Sequence, residues 1–245
     1  MSGFFKHIPN VQYDFKSDGK YYQAKDLFRK VSVWSYLQEG ISAYTYYRIT
    51  DGERPDVTAA KIYGDSTSYW LFFLVNENLQ DLNDWPKSGA TFNKFVDRKY
   101  SGTCLVANAS TDIVSFNHDT NVSSKFLLGE LVTQSSSGAQ GTVTSVDPTN
   151  SKITLNSVSG TFTNGTVVGT ESTKSFTVTS VVREQDVAHH YIDSNNLLTT
   201  IDTNNTAISN LKYERDLNEE KHIIRYIEPK YVGSVIKEFK ELVRE

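Results

Sequence analysis

The chain has 245 residues and a mass of 27.6 kDa, enough to bury one large core or two small ones, which excludes disorder as the default state. Its net charge of −4 and pI near 5.8 exclude the basic footprint of a nucleic-acid or anionic-membrane binder. Cys104 is the single cysteine, so an intrachain disulfide is excluded, and nowhere do about 18 apolar residues run together as a membrane span requires. The N-terminal "MSGFFKHIPNVQYDFKSDGK" lacks the apolar core of a signal peptide. A reducing cytosol is therefore the expected compartment, unless the protein leaves as part of something larger. Aromatic residues make up 12% of the chain, with 14 Tyr and 13 Phe, a composition suited to large packed surfaces or to partner interfaces.

Composition changes near residue 100 and again near 184, dividing the chain into an aromatic first part (1–100), a Ser/Thr/Gly/Val-rich middle (101–183) and a charged last part (184–245). Three zones of this kind suggest an insertion. In the first, Asp26 is placed to cap a helix whose Leu27, Val31, Trp34, Leu37 and Ile41 recur at spacings of three and four. "AYTYYRI" (43–49) reads as a strand with Tyr44 and Tyr46 on one face and Thr45 and Tyr47 on the other. After the turn "TDGERP", Pro55 suits the first position of a helix, Ala59, Ile62 and Tyr63 give it an apolar side, and Gly64 supplies the left-handed residue that ends it. Asp65 or Ser66 then caps a second helix, "YWLFFLV", so apolar that it must be buried on nearly every side. Phe92, Phe95 and Val96 mark one more amphipathic helix, ending near Tyr100.

The middle zone holds an internal repeat. Phe126, Gly129 and Val132 recur 36 residues on as Phe162, Gly165 and Val168, and Val143 and Val146 recur 35 residues on as Val178 and Val181. Each copy (126–146 and 162–181) reads as strand, turn, strand, and together with "KITL" they predict a small antiparallel barrel or sandwich of about five strands. In the last zone "HIIRYI" (222–227) reads as a strand. Beyond Pro229, Val232, Val235, Ile236, Phe239, Leu242 and Val243 stripe one face of a helix that needs a partner in this chain or another.

Local chemistry is sparse. His7, His118, His189, His190 and His222 fall into no ligand spacing, and adjacent side chains such as His189 and His190 point apart in regular structure, so a metal site with Asp186 or Asp193 is not expected. No phosphate loop, nucleophile elbow or Cys/His pairing is present, and Cys104 reads as a small hydrophobe near a strand. The carboxylates Asp51, Glu53, Asp56 and Asp65 gather around the helix pair in the manner of a glycosidase, but a turn, a first helical turn and a cap explain them structurally. No catalytic residue, metal or cofactor is assigned.

Two resemblances meet in this region. "AAKIYGDSTSYWLFFLVNEN" resembles the helix pair of LysM domains, small βααβ modules with a "YGD/N" link; members that bind peptidoglycan recognise N-acetylglucosamine chains. The longer resemblance is to the baseplate wedge protein of large contractile-tailed phages. It runs from "DLFRKVSVW" through "YTYYRITDGERPDVTAAKIYGDSTSYW" to Trp85, with Asp26, Tyr46, Tyr47, Arg54, Pro55, Gly64, Tyr69, Trp70, Asn76 and Asn78 among the matching marks, and "EEKHIIRYIEPKYVGSVIKEFKELV" is similar to the family's C-terminal strand and helix. The resemblance implies an α+β fold in which a LysM-like N-terminal region (helix pair at about 43–85) is completed by the C-terminal strand and helix and interrupted by the β module. It implies a non-enzymatic virion protein of a myovirus tail, assembled in the host cytoplasm, one copy per wedge in a sixfold baseplate. Its partners would be other wedge proteins, neighbouring wedges and the sheath-initiator or hub proteins, with no nucleic acid and no membrane. Arg54, Tyr63, Tyr46, Tyr47, Trp85, Phe239 and Ile236 are the candidate contact residues, and Asp26, Pro55, Gly64, Asp65 and Trp70 the structural marks. The alternative implied by the shorter resemblance is a carbohydrate-binding module.

Overall fold

A computed structural model describes residues 8–26, 44–107, 126–147, 150–199 and 204–244. The helix expected after Asp26, with Trp34, lies outside them; Asp26 itself donates its backbone N–H to the Pro9 carbonyl at 3.1 Å. The fold is mixed α+β in two compact units, one formed by Met1–Gly89 with Asn218–Glu245 and the other by Ala90–Leu217.

The first unit opens with a hairpin the sequence patterns did not predict, β1 (Asn10–Tyr13) against β2 (Tyr22–Lys25). Its loop forms because the Asp14 carboxylate accepts backbone N–H groups from Lys16, Asp18 and Gly19 at 3.2, 3.2 and 2.8 Å. Next comes β3 (Tyr44–Arg48), which pairs antiparallel with β13 (Ile223–Ile227), Tyr46 standing opposite Arg225. Helix α1 (Pro55–Tyr63) begins with Pro at its first position and ends on Gly64 at φ +71°, whose N–H reaches the Ala60 carbonyl. A single 3-10 turn, Ser66–Tyr69, capped by Asp65 through the Thr67 N–H, precedes α2 (Trp70–Val75), so the second predicted helix is divided between Tyr69 and Trp70. Trp70, Leu71, Phe72 and Val75 are buried, in keeping with a helix that shows almost no polar side.

Helix α5 (Pro229–Arg244) closes this unit. Its stripe meets a partner within the chain: Val235, Phe239 and Val243 pack with Trp70, Leu71, Val75 and Ile227, and the Phe239 and Trp70 rings lie 5.1 Å apart. A second cluster of Ile49, Ala59, Phe72, Leu79, Trp85 and Ile224 fills the space on the other side of α2.

In the second unit, α3 (Gly89–Lys99), whose first residue belongs to the other unit, leads into a closed barrel in the order β4-β7-β6-β5-β8-β9. These strands are β4 (Thr103–Ala107), β5 (Leu131–Gln134), β6 (Ala139–Asp147), β7 (Lys152–Ser159), β8 (Gly165–Gly169) and β9 (Ser175–Arg183). The two repeats are the hairpins β5–β6 and β8–β9, joined through β5 and β8. The barrel therefore has six strands rather than five. The sixth is β4, which carries Cys104 and closes the sheet between β7 and β9. Repeat-related Phe126 and Phe162, and Val143 and Val178, share one core with Val132, Ile153 and Leu155. Closure leaves no free edge on this sheet.

The stretch read as a charged last part also holds a three-stranded sheet, β10 (Ala188–Ile192) between β11 (Leu198–Thr199) and β12 (Thr206–Ser209), and helix α4 (Asn210–Glu220), which runs on into the first unit. Helix α4 is capped by the Ser209 hydroxyl, which accepts the Lys212 N–H.

Candidate protein-interaction surface

Local folding around the turn at residues 50–54 places the groups that matter. The Glu53 carboxylate, its side chain 4% exposed, accepts from the Tyr47 hydroxyl, the Thr50 N–H and the Thr58 hydroxyl, and pairs with Lys61 Nζ at 3.1 Å. Burial alone would push this carboxyl's pKa up. The Lys61 ammonium and the donors at Thr50, Thr58 and Tyr47 outweigh burial and hold it below the usual range. The same residue's carbonyl accepts the Trp85 Nε1–H at 2.7 Å, so Glu53 ties the start of α1 both to β3 and to Trp85.

A second tie is made by Asn76, just past α2. Its Nδ2 donates to the Phe72 and Arg225 carbonyls, each at 2.8 Å, and its Oδ1 accepts the Arg225 N–H at 2.8 Å. A primary amide has the donor and acceptor of one peptide unit, so Asn76 pairs with the outer edge of β13 as a residue of a third strand would.

Of the contact candidates, Trp85 is buried beside Phe72 and Phe73, with ring centres 5.8 and 6.0 Å away. Phe239 is 2% exposed and covered by Trp70, and Ile236 is half-buried beside it. Tyr63 stacks on Phe72 at 5.5 Å and meets Tyr226 edge-on, and burial pushes its hydroxyl pKa well up. Tyr47 points its hydroxyl at Glu53. Tyr46, at 67% exposure, and Arg54, which pairs only locally with Asp56 at 3.0 Å, are the two that project outward. They do so from β3 and from the start of α1.

The acidic group is held in structural bonds. Asp51 accepts the Gly89 N–H, Asp56 pairs with Arg54, and Asp65 takes the Thr67 N–H and the Thr67 and Ser68 hydroxyls, donors that lower its pKa. In the second unit the imidazoles of His189 and His190 touch through Nδ1 at 2.9 Å, and His189 stacks on Tyr213 at 3.9 Å. Buried Glu214 accepts from Lys99 Nζ at 2.6 Å and the Tyr100 hydroxyl at 2.7 Å. Among the described residues no group of three or more His, Cys, Asp or Glu side chains is arranged to hold a metal ion. Nor is any helix there long and apolar enough to cross a membrane.

Sequence reasoning missed Glu53, Asn76 and Glu214 as organising residues. Asn76 and Asn78 carry the same local pattern at a helix end, and only the arrival of β13 gives Asn76 its partner. No curated protein matches the chain. Residues 3–108 match the family described as Base plate wedge protein 53, which supports its being a phage baseplate wedge protein.

Proposed function

We propose that this chain is a structural, non-enzymatic subunit of a contractile-tail baseplate wedge, which binds the wedge core and clamps adjacent wedges around the central hub. One copy serves each of six wedges, and assembly takes place in the host cytoplasm. The observation that carries this reading is the family match over residues 3–108, which spans β3, α1, α2 and the buried ties at Glu53 and Asn76. Outward Tyr46 and Arg54 lie inside the same stretch and belong to residue types that dominate association energies. In this reading Asp26, Pro55, Gly64, Asp65 and Trp70 build the scaffold, and the β module, 101–183, decorates it. The test is genetic: phage lacking the chain should accumulate wedges that fail to close into baseplates, and closure without it would contradict the clamp.

A second reading draws on the arrangement of β3, α1, α2 and β13. On that reading these elements make a LysM-like βααβ module, with residues 223–227, which pair with β3, as its closing strand, and the role is carbohydrate binding. Retention of the protein on insoluble peptidoglycan, lost on changing Tyr63 or the Gly64–Asp65 link, would favour that role. Failure to bind leaves the wedge reading in place.

A further inference from the structure

The β3–β13 sheet has two strands, and its two outer edges are treated differently. In an antiparallel pair, residues facing each other alternate between exchanging hydrogen bonds and turning their N–H and C=O groups outward. The Ile49 N–H donates to the His222 carbonyl, and Asn76 takes both backbone groups of Arg225 from outside. Both observations fix the same phase, in which Tyr44, Tyr46 and Arg48 turn their backbone groups away from β13. On the β13 edge, Asn76 occupies the outward groups of Arg225. On the β3 edge, among the described residues, nothing pairs with those of Tyr46, whose side chain is 67% exposed. Beside it, Arg48 is 73% exposed and touches a carboxylate only at 3.9 Å, that of Glu219. An open edge is costly to leave in a folded protein and invites a further strand.

We propose that the β3 edge is a strand-addition site, taken in the assembled tail by an extended segment of a neighbouring wedge protein with a carboxylate side chain set against Arg48. The inference rests on the wedge reading. Charge complementarity argues for that occupant: the edge presents the exposed Arg48 guanidinium, and the same strand of a second copy, YTYYR, carries no carboxylate to set against it, so an acidic segment of another protein fits where self-pairing does not.

Amide hydrogen exchange on the isolated full chain and on purified tails tests this directly. The Thr45 and Tyr47 amides, which face β13, are expected to be protected in both samples. The Tyr46 and Arg48 amides should exchange fast in the isolated chain and slow by about a hundredfold or more in tails. Equal, fast exchange in tails that contain the chain overturns the proposal and leaves the wedge reading standing. Concentration-dependent protection in the isolated chain overturns it in favour of self-pairing. Absence of the chain from tails overturns both. A variant pair separates backbone from side chain: Tyr46→Pro and Tyr46→Thr both remove the ring, but only the proline also removes the outward N–H, so Tyr46→Pro should cut incorporation at least about tenfold more than Tyr46→Thr does. Equal loss in the two variants overturns strand addition, and if Tyr46→Pro fails to fold, exchange on the unmodified chain decides.

Discussion

Replacing Asn76 isolates the tie between α2 and β13. Asn76 is 7% exposed and makes three side-chain hydrogen bonds of 2.8 Å. Asn76→Ala removes the side-chain bonds to the Arg225 N–H and C=O, while the Phe72 carbonyl keeps the backbone N–H of residue 76 at 3.2 Å. The loss of these two bonds to backbone groups, at about 1–3 kcal/mol each and relieved in part by water at the sheet edge, comes to about 2–4 kcal/mol. Asn76→Asp keeps the acceptor for the Arg225 N–H but turns a carboxylate oxygen toward two carbonyls, so it should cost at least as much at neutral pH. Part of that loss should return in acid, when the introduced carboxyl can donate. Tryptophan fluorescence in urea suits the measurement, because Trp70 and Trp85 are buried in the two core clusters that flank α2. A midpoint lower by about 1–2 M is expected from ordinary urea slopes. An unchanged midpoint for both variants, with an unchanged slope, would refute the idea that this amide fastens α2 to the sheet.

Phe239→Ala should destabilise the same unit by about 3–5 kcal/mol, again read by Trp fluorescence, because the ring is buried on Trp70; a folded Phe239→Asp protein with native fluorescence would contradict this packing. Glu53 has a depressed folded pKa, so its contribution is full above its unfolded value and is lost as pH falls through the folded one. Glu53→Gln should therefore lower stability by about 1–3 kcal/mol at pH 7 and flatten the acid limb of the stability curve in urea titrations. Gly64→Ala meets no atom within 4 Å, so only the left-handed backbone, φ +71°, opposes it, at a cost of about 1 kcal/mol in the same assay. The His189 pKa is lowered by burial first and then by His190 and Lys152. Its unfolded form takes up protons near pH 6.5 before the folded form does. Stability of the second unit should then fall as pH drops through that range, measured as lower protection of the β10 amides at pH 5.5 than at 7.5 once their exchange rates are divided by the intrinsic rate at each pH, and His189→Phe should remove the dependence.

Period and punctuation made some of this fold legible. Pro55 and Gly64 bound α1 because a fixed φ starts a helix and a left-handed residue stops one, and both are readable without the fold. The barrel hairpins were legible because the repeat carries alternating valines on both sides of each turn. Strand β4 was not, since "TCLVA" shows no alternation and its partners lie about fifty and eighty residues on. Helix α4 hid because "NLKYERDLNEE" buries Asn210 and Glu214 where the apolar side of a helix is expected, and Lys99 and Tyr100, which make that burial tolerable for Glu214, come from far earlier in the chain. The β1–β2 hairpin escaped because β1 is exposed throughout, no residue of β2 is fully buried, and its loop is held by Asp14 rather than by a two-residue glycine turn. At the candidate surface, a Tyr at the end of a helix and a Tyr on a strand look alike in sequence. Tyr63 turns in to Phe72 and Tyr46 turns out only because β13 arrives opposite β3.

The wedge assignment is tested most directly by imaging an assembled tail at a resolution that traces chains. The account predicts one copy of this chain in each of six wedges at the baseplate, with β3 and Arg54 against a neighbouring protein. A baseplate closed around its hub without this chain would contradict it.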